Sequence, residues 1–113
     1  MNIQIFGTKK NPDTRKAERF FKERGIRFQF VDLKEKGLSR GELRSVMQAA
    51  GGLDALIDPA CRDRDLLALV MHLVPEDREQ KVLDNQVLLR QPIVRNGKQA
   101  AVGYQPEVWK TWL

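Results

Sequence analysis

Four cations crowd one short stretch of this sequence: Lys9, Lys10, Arg15 and Lys16 flank Asn11-Pro12-Asp13, where an alternating apolar segment gives way to helical spacing. A helix start exposes unpaired backbone N–H groups and the positive end of the helix dipole, so cations gathered there suit a phosphate, sulfate or similar oxyanion. Lys9, Lys10 and Arg15 are the candidate anion ligands. The same residues also fit a solvated basic face with no ligand, and Asn11, before a proline, fits a plain turn or cap. The single cysteine, Cys61, is followed by Arg62 and Arg64, which are able to favour its thiolate. It has no second thiol to resolve an intermediate. The lone His72 lies among apolar residues of helical spacing and reads as a histidine at the edge of a core rather than a general base. With one cysteine and one histidine, neither a disulfide nor a thiolate–imidazole metal site can form. No metal and no cofactor is expected.

The elements that must hold these residues are legible in outline. Residues 2–6 alternate as a half-buried strand, and Gly7 to Pro12 reads as a loop. Asp13 can cap a helix that places Ala17, Phe20 and Phe21 on one face and ends at Gly25. Phe28, Phe30 and Leu33 alternate in a second strand, making a parallel strand–helix–strand crossover. Ser39 and Glu42 form a capping box ahead of Leu43, Val46 and Met47, and Gly51-Gly52 ends that helix. Asp58-Pro59 is a turn. Leu66 to Val70 return to helical spacing, and Pro75 opens a helix over 75–84 with Glu76 and Asp77 near its positive end. Strands at 93–95 and 99–102 flank Asn96-Gly97, a strong hairpin signal. A final helix over 105–112 presents Val108, Trp109 and Trp112, read as packing residues. The order predicts one α/β domain over residues 1–113, with a mixed four-stranded sheet and helices on both faces.

Totals agree with that size of core. The 113 residues are 42% hydrophobic and 31% charged, and a chain this long buries roughly two thirds of its unfolded surface without staples. The longest apolar run, Leu66 to Met71, is far short of the ~20 residues a membrane span requires. The first residues carry no signal-peptide pattern. One cysteine suits a reducing compartment, so a cytoplasmic location is expected. The net charge of +5 permits an acidic partner. Cations are dispersed along the sequence without interleaved aromatics, which argues against direct nucleic-acid binding.

Three stretches resemble the arsenate reductase (ArsC) and Spx-like family of the thioredoxin superfamily. They are Ile5 to Lys10 with Asp13 to Ala17, then Leu53 to Asp58, then Leu88 to Val94 with Gly97, Val102 to Tyr104 and Trp109. The likeness runs in order over nearly the whole chain. It implies the thioredoxin-like fold and a cis peptide bond before Pro92. It also implies a cysteine four residues before Arg15, where this chain has Asn11, and an oxyanion-holding arginine before Pro92, where it has Gln91. The loop in which a further arginine would stand reads Asp58-Pro59-Ala60. A thiol at position 11 would be activated by the helix start and could attack arsenate or a disulfide, its oxyanion steadied by arginines. An amide has no such nucleophile or redox couple, and losing a covalent nucleophile removes several orders of magnitude of rate. The resemblance therefore points first to a non-catalytic binding or regulatory module. Spx-like relatives dock on the C-terminal domain of the RNA polymerase α subunit, and Gly51-Gly52 lies where they keep a small residue for close approach. The alternatives are an arsenate reductase or glutathione-dependent oxidoreductase working through Cys61 or a partner's thiol, and an oxyanion-binding protein using the basic loop.

Overall fold

The computed structural model describes residues 1–113 as nine regular elements. In order they are β1 (Ile3–Gly7), α1 (Pro12–Glu23), β2 (Phe28–Asp32), α2 (Arg40–Ala50), α3 (Arg64–Met71), α4 (Pro75–Asp84), β3 (Ile93–Asn96), β4 (Gln99–Val102) and α5 (Pro106–Lys110). Short 3-10 turns at Asp54–Leu56 and Gln86–Leu88 lead into the segments before and after the α3–α4 pair. The strands lie in the order β2-β1-β3-β4, with β1 parallel to β2 and antiparallel to β3, and β3 antiparallel to β4. No helix is long and apolar enough to cross a membrane.

Strand periodicity divides the apolar residues between two cores. On one face Ile3, Ile5, Val94 and Ala101 pack with Ala17, Phe20, Phe21 and Trp109 of α1 and α5. On the other, Phe6, Val31 and Ile93 pack with Leu43, Val46, Val70 and Val82 of α2, α3 and α4. This corrects the half-buried reading of the first strand. β1 is central and covered on both sides, so Ile5 and Phe6 are both fully buried. Gln4 interrupts its apolar run because it ends in a polar cluster, accepting from Arg95 Nη1 at 2.9 Å and donating to Gln29 Oε1 at 3.1 Å.

Local signals placed most ends correctly, with informative exceptions. The α2 capping box is complete: Glu42 N–H donates to Ser39 Oγ at 3.2 Å, and Ser39 N–H donates to Glu42 Oε1 at 2.9 Å. Gly51 closes that helix at φ 90. The cap of α1 is Asn11, not Asp13. Pro12 takes the first helical position, where its missing N–H costs nothing, and so pushes the cap back by two residues. Asp13 falls in the first turn, 3.8 Å from Lys16. β2 ends before Leu33, and Val31 is its deeply buried residue. The hairpin loop is Gly97-Lys98 rather than Asn96-Gly97, because Asn96 pairs with Gln99. With Gly97 at φ 59 and no other residue at positive φ nearby, this is the glycine-first turn that matches strand twist. α5 is shorter than expected, and His72 is exposed at the end of α3 rather than at a core edge. Trp109 is fully buried and Trp112 partly so, as packing residues should be.

Two arginine-based ties fasten the helical layer. Arg78 donates to the carbonyls of Val70, Met71 and Leu73, satisfying the end of α3, and its Nη1 reaches Asp54 at 2.6 Å. Glu79 of α4, largely buried, takes Arg40 Nη1 at 2.6 Å and Arg44 Nε at 3.0 Å from α2. Hydrogen bonding from Arg44, with the charges of Arg44 and Arg40, holds the Glu79 carboxyl below its ordinary 4.5, against the opposing effect of burial. The unfolded chain thus binds this proton more readily than the folded protein does. The ties are at full strength above the ordinary glutamate range and fade as pH falls through the lowered folded value. Chemical denaturation should show Glu79→Gln less stable than wild type at neutral pH, by about 1 kcal/mol, with the gap closing as pH falls below the ordinary glutamate value of 4.5. A gap independent of pH would refute the assignment.

Candidate functional site

The site forms where β1 ends and α1 begins. Gly7 is the last residue of β1, and Thr14, in the first turn of α1, packs directly against it: a Cβ at position 7 would fall 2.7 Å from Thr14 Cγ2 and closer still to Oγ1. Glycine is therefore required here for close approach of strand and helix. Thr14 is fully buried and has nowhere to retreat, so Gly7→Ala should cost about 1–3 kcal/mol, read as a lowered melting temperature. An unchanged melting temperature would mean that helix and strand are not locked together.

Two residues from distant parts of the chain complete the site. Asn11, at the head of α1, accepts Thr14 N–H on its side-chain oxygen at 2.9 Å, an N-cap bond. Gln91, on the segment leading to β3, turns its Oε1 into the same corner. That one oxygen accepts from Thr8 N–H at 2.7 Å, Thr8 Oγ1 at 3.0 Å and Thr14 Oγ1 at 3.3 Å. The backbone N–H must be the donor, which assigns the oxygen rather than the nitrogen of the amide to this position. The Gln91–Pro92 peptide bond is cis. Beside this corner opens a cavity of about 540 Å³ walled by Lys10, Asn11, Lys34, Arg62, Gln86 and Gln91, among others.

The three expected anion ligands do not converge. Lys9 pairs with Glu18 at 2.7 Å and lies over the Phe30 ring at 4.2 Å. Arg15 folds back to donate to the carbonyls of Lys9 and Lys10 at 2.9 and 3.1 Å. Both line a different groove, between α1 and β2. Only Lys10 faces the cavity, where Lys34 and Arg62 join it. Sequence reading tied Arg62 only to Cys61 and gave no site role to Lys34, Thr8 or Thr14, because the cavity and the Gln91 bonds that join them arise across the fold.

Cys61 is buried among the apolar residues of the larger core, its Sγ 3.7 Å from the Val87 carbonyl oxygen. The arginines beside it do not serve the sulfur. Arg64 donates to the carbonyls of Pro59 and Cys61, bracing the loop, and Arg62 lines the cavity. That loop is stitched in turn to the segment before Gln91, through Asp58 N–H to the Leu88 carbonyl at 2.8 Å and Arg90 N–H to the Leu56 carbonyl at 2.7 Å.

No protein-family model matches the sequence, and comparison with curated proteins finds no match. Solved structures do match, over the full length. An arsenate reductase from Vibrio cholerae superposes with a TM-score of 0.84 at 23% identity, covering 100% of this chain and 98% of that one. The chain has the arsenate-reductase fold. An ArsC-family-related protein from Bacteroides fragilis gives a TM-score of 0.85 at 16% identity, again covering 100% and 98%. An arsenate reductase (ArsC) related protein from Brucella melitensis gives 0.67 at 17%, covering 99% and 94%. Within this thioredoxin-like fold, a mixed sheet with helices on both faces, the corner formed by Thr8, Asn11, Thr14 and Gln91 lies at a strand end beside a helix start. Such a place concentrates backbone donors. Here one donor is capped by Asn11 and another is taken up by Gln91.

Proposed function

We propose that this protein is a non-catalytic binding or regulatory module built on the arsenate-reductase fold. The observation that carries this reading is the Gln91 oxygen. An oxyanion-reducing pocket needs donors left free for the incoming anion and a nucleophile to attack it. In this chain an internal acceptor already gathers the donors of Thr8 and Thr14. The position expected for the nucleophile carries Asn11, whose oxygen is held as a helix cap. The one thiol, Cys61, is buried in the core away from solvent. Turnover of arsenate with a thiol donor tests the reading. Wild type and Cys61→Ser should both be inactive, while Asn11→Cys gains measurable turnover; activity in wild type that Cys61→Ser abolishes would favour the reductase alternative.

The partner suggested by the Spx-like resemblance is the C-terminal domain of the RNA polymerase α subunit, which would place the protein in the cytoplasm. Association of the two purified components on mixing supports that partner, and failure to associate removes it. The oxyanion-binding alternative draws on a specific observation. Lys10, Lys34 and Arg62 make no ion pair, and the amide nitrogen of Gln91 has no partner in the protein; all four line the 540 Å³ cavity. Sulfate titration followed by amide chemical shifts at Thr8 and Arg62 tests it. No shift there dismisses it.

A further inference from the structure

The second groove, of about 810 Å³, runs between α1 and the outer side of β2, away from the Asn11 corner. We infer that it receives an acidic polypeptide segment, which adds to β2 as a further strand beneath the cationic face of α1.

Backbone geometry supplies the template. β2 stands at the edge of the sheet and pairs only with β1, in a continuous parallel register with no bulge from Phe28 to Asp32. Leu33 N–H donates to the Gly7 carbonyl at 3.0 Å. By the two-residue alternation of a ladder, Gln29 and Val31 therefore turn their amides to β1, and Phe28 and Phe30 turn theirs outward. Unpaired edge groups of this kind are the ones an extended peptide completes. β2 itself has no proline to blunt them.

Charge selects the occupant. Arg15, Arg19 and Lys22 follow one another at helical spacing along α1 and line the groove with Lys9 and Arg27. Glu18 is the one acid in the lining, and Lys9 already neutralises it at 2.7 Å. Arg19, Lys22 and Arg27 have no ion-pair partner and no side-chain hydrogen bond. A strand paired with β2 would direct every second side chain towards α1, so carboxylates at alternate positions would meet these three cations. The groove also sets Phe28 and Phe30, which follow Arg27 in the sequence, beside the cations of α1. Single-stranded nucleic acid would use such rings for base stacking. Yet Lys9 Nζ already sits over the Phe30 ring, and the outward edge groups match a peptide backbone, so the polypeptide is favoured. This inference stands on a different surface from the Asn11 corner, and arsenate turnover does not bear on it.

The test uses the full chain, isotopically labelled, with a blocked peptide of alternating threonine and glutamate, the same peptide with lysine for glutamate, and oligothymidylate. The glutamate peptide should bind at low ionic strength, shift the amides of Phe28 and Phe30, and weaken with salt. Arg19→Glu combined with Lys22→Glu should weaken it at least about tenfold. Arg19→Gln with Lys22→Gln, at the same exposed helix positions, should give an intermediate loss with unchanged β1 and β3 amide spectra, separating charge from misfolding. The inference is overturned by no binding of the glutamate peptide, by equal binding of the lysine peptide, by shifts confined to other elements, or by tighter binding of oligothymidylate.

Discussion

Asn11→Cys is expected to alkylate with iodoacetamide at least about a thousandfold faster than Cys61 does in the wild-type protein. The factor follows from accessibility. Cys61 is 4% exposed within the larger core, so reagent reaches it only when the structure opens locally. An opening that costs about 4 kcal/mol leaves roughly one molecule in a thousand reactive. Position 11 is partly exposed on the wall of a cavity and heads a twelve-residue helix. A thiol there has solvent access and meets the positive end of the helix dipole, which raises the thiolate fraction. The variant loses the cap from Asn11 to Thr14 and so some stability, about 1 kcal/mol; it should still fold. Mass spectrometry of the intact chain over time separates the two thiols, with Asn11→Cys combined with Cys61→Ser as the single-thiol reference. Comparable rates for the two positions would show that Cys61 is reachable, and the reductase alternative would regain its nucleophile.

Trp109→Ala should be the most destabilising single change, about 3–5 kcal/mol, equivalent to a melting temperature lowered by roughly 10–20 °C. Trp109 is wholly buried at the meeting of three rings. Phe20 lies 5.1 Å away edge-on, Phe21 5.6 Å away and tilted, and Tyr104 5.5 Å away edge-on. Removing the indole leaves a cavity bounded by α1, α5 and the sheet, whose strands cannot collapse inward without breaking their ladder. Trp109→Phe should cost much less, for two reasons. It keeps an aromatic in the cluster, and it removes an indole N–H that has no hydrogen-bond partner. Equal losses for the two variants would mean that the tryptophan's specific shape, rather than burial, is what the cluster requires.

How far the fold was legible depends on the range of the interactions concerned. The capping box of α2, the glycine that closes it and the proline that opens α4 all act within one helical turn, and each was placed correctly. Asp13 was mistaken for a cap because both Asn11 and Asp13 can cap a helix. The choice was made by Pro12, whose ring suits the first helical position. The hairpin slipped by one residue for a related reason: Asn96 and Gly97 both favour turns, and cross-strand pairing of Asn96 with Gln99 decided between them. His72 was misplaced because apolar neighbours along a helix say nothing about which side of it faces a partner.

The sequence by itself determined the order and type of the elements, the presence of a single cysteine and the absence of a thiol at position 11, because composition and i to i+4 chemistry are local properties. Tertiary structure alone decided where the cations went and what fills the corner. Lys9 and Arg15 were drawn to Glu18 and to loop carbonyls. The Gln91 oxygen reached Thr14 and Thr8 from 77 and 83 residues away. Contacts over such separations leave no periodic trace in the chain, since they depend on how the sheet brings β1 and β3 side by side rather than on any residue's own preference.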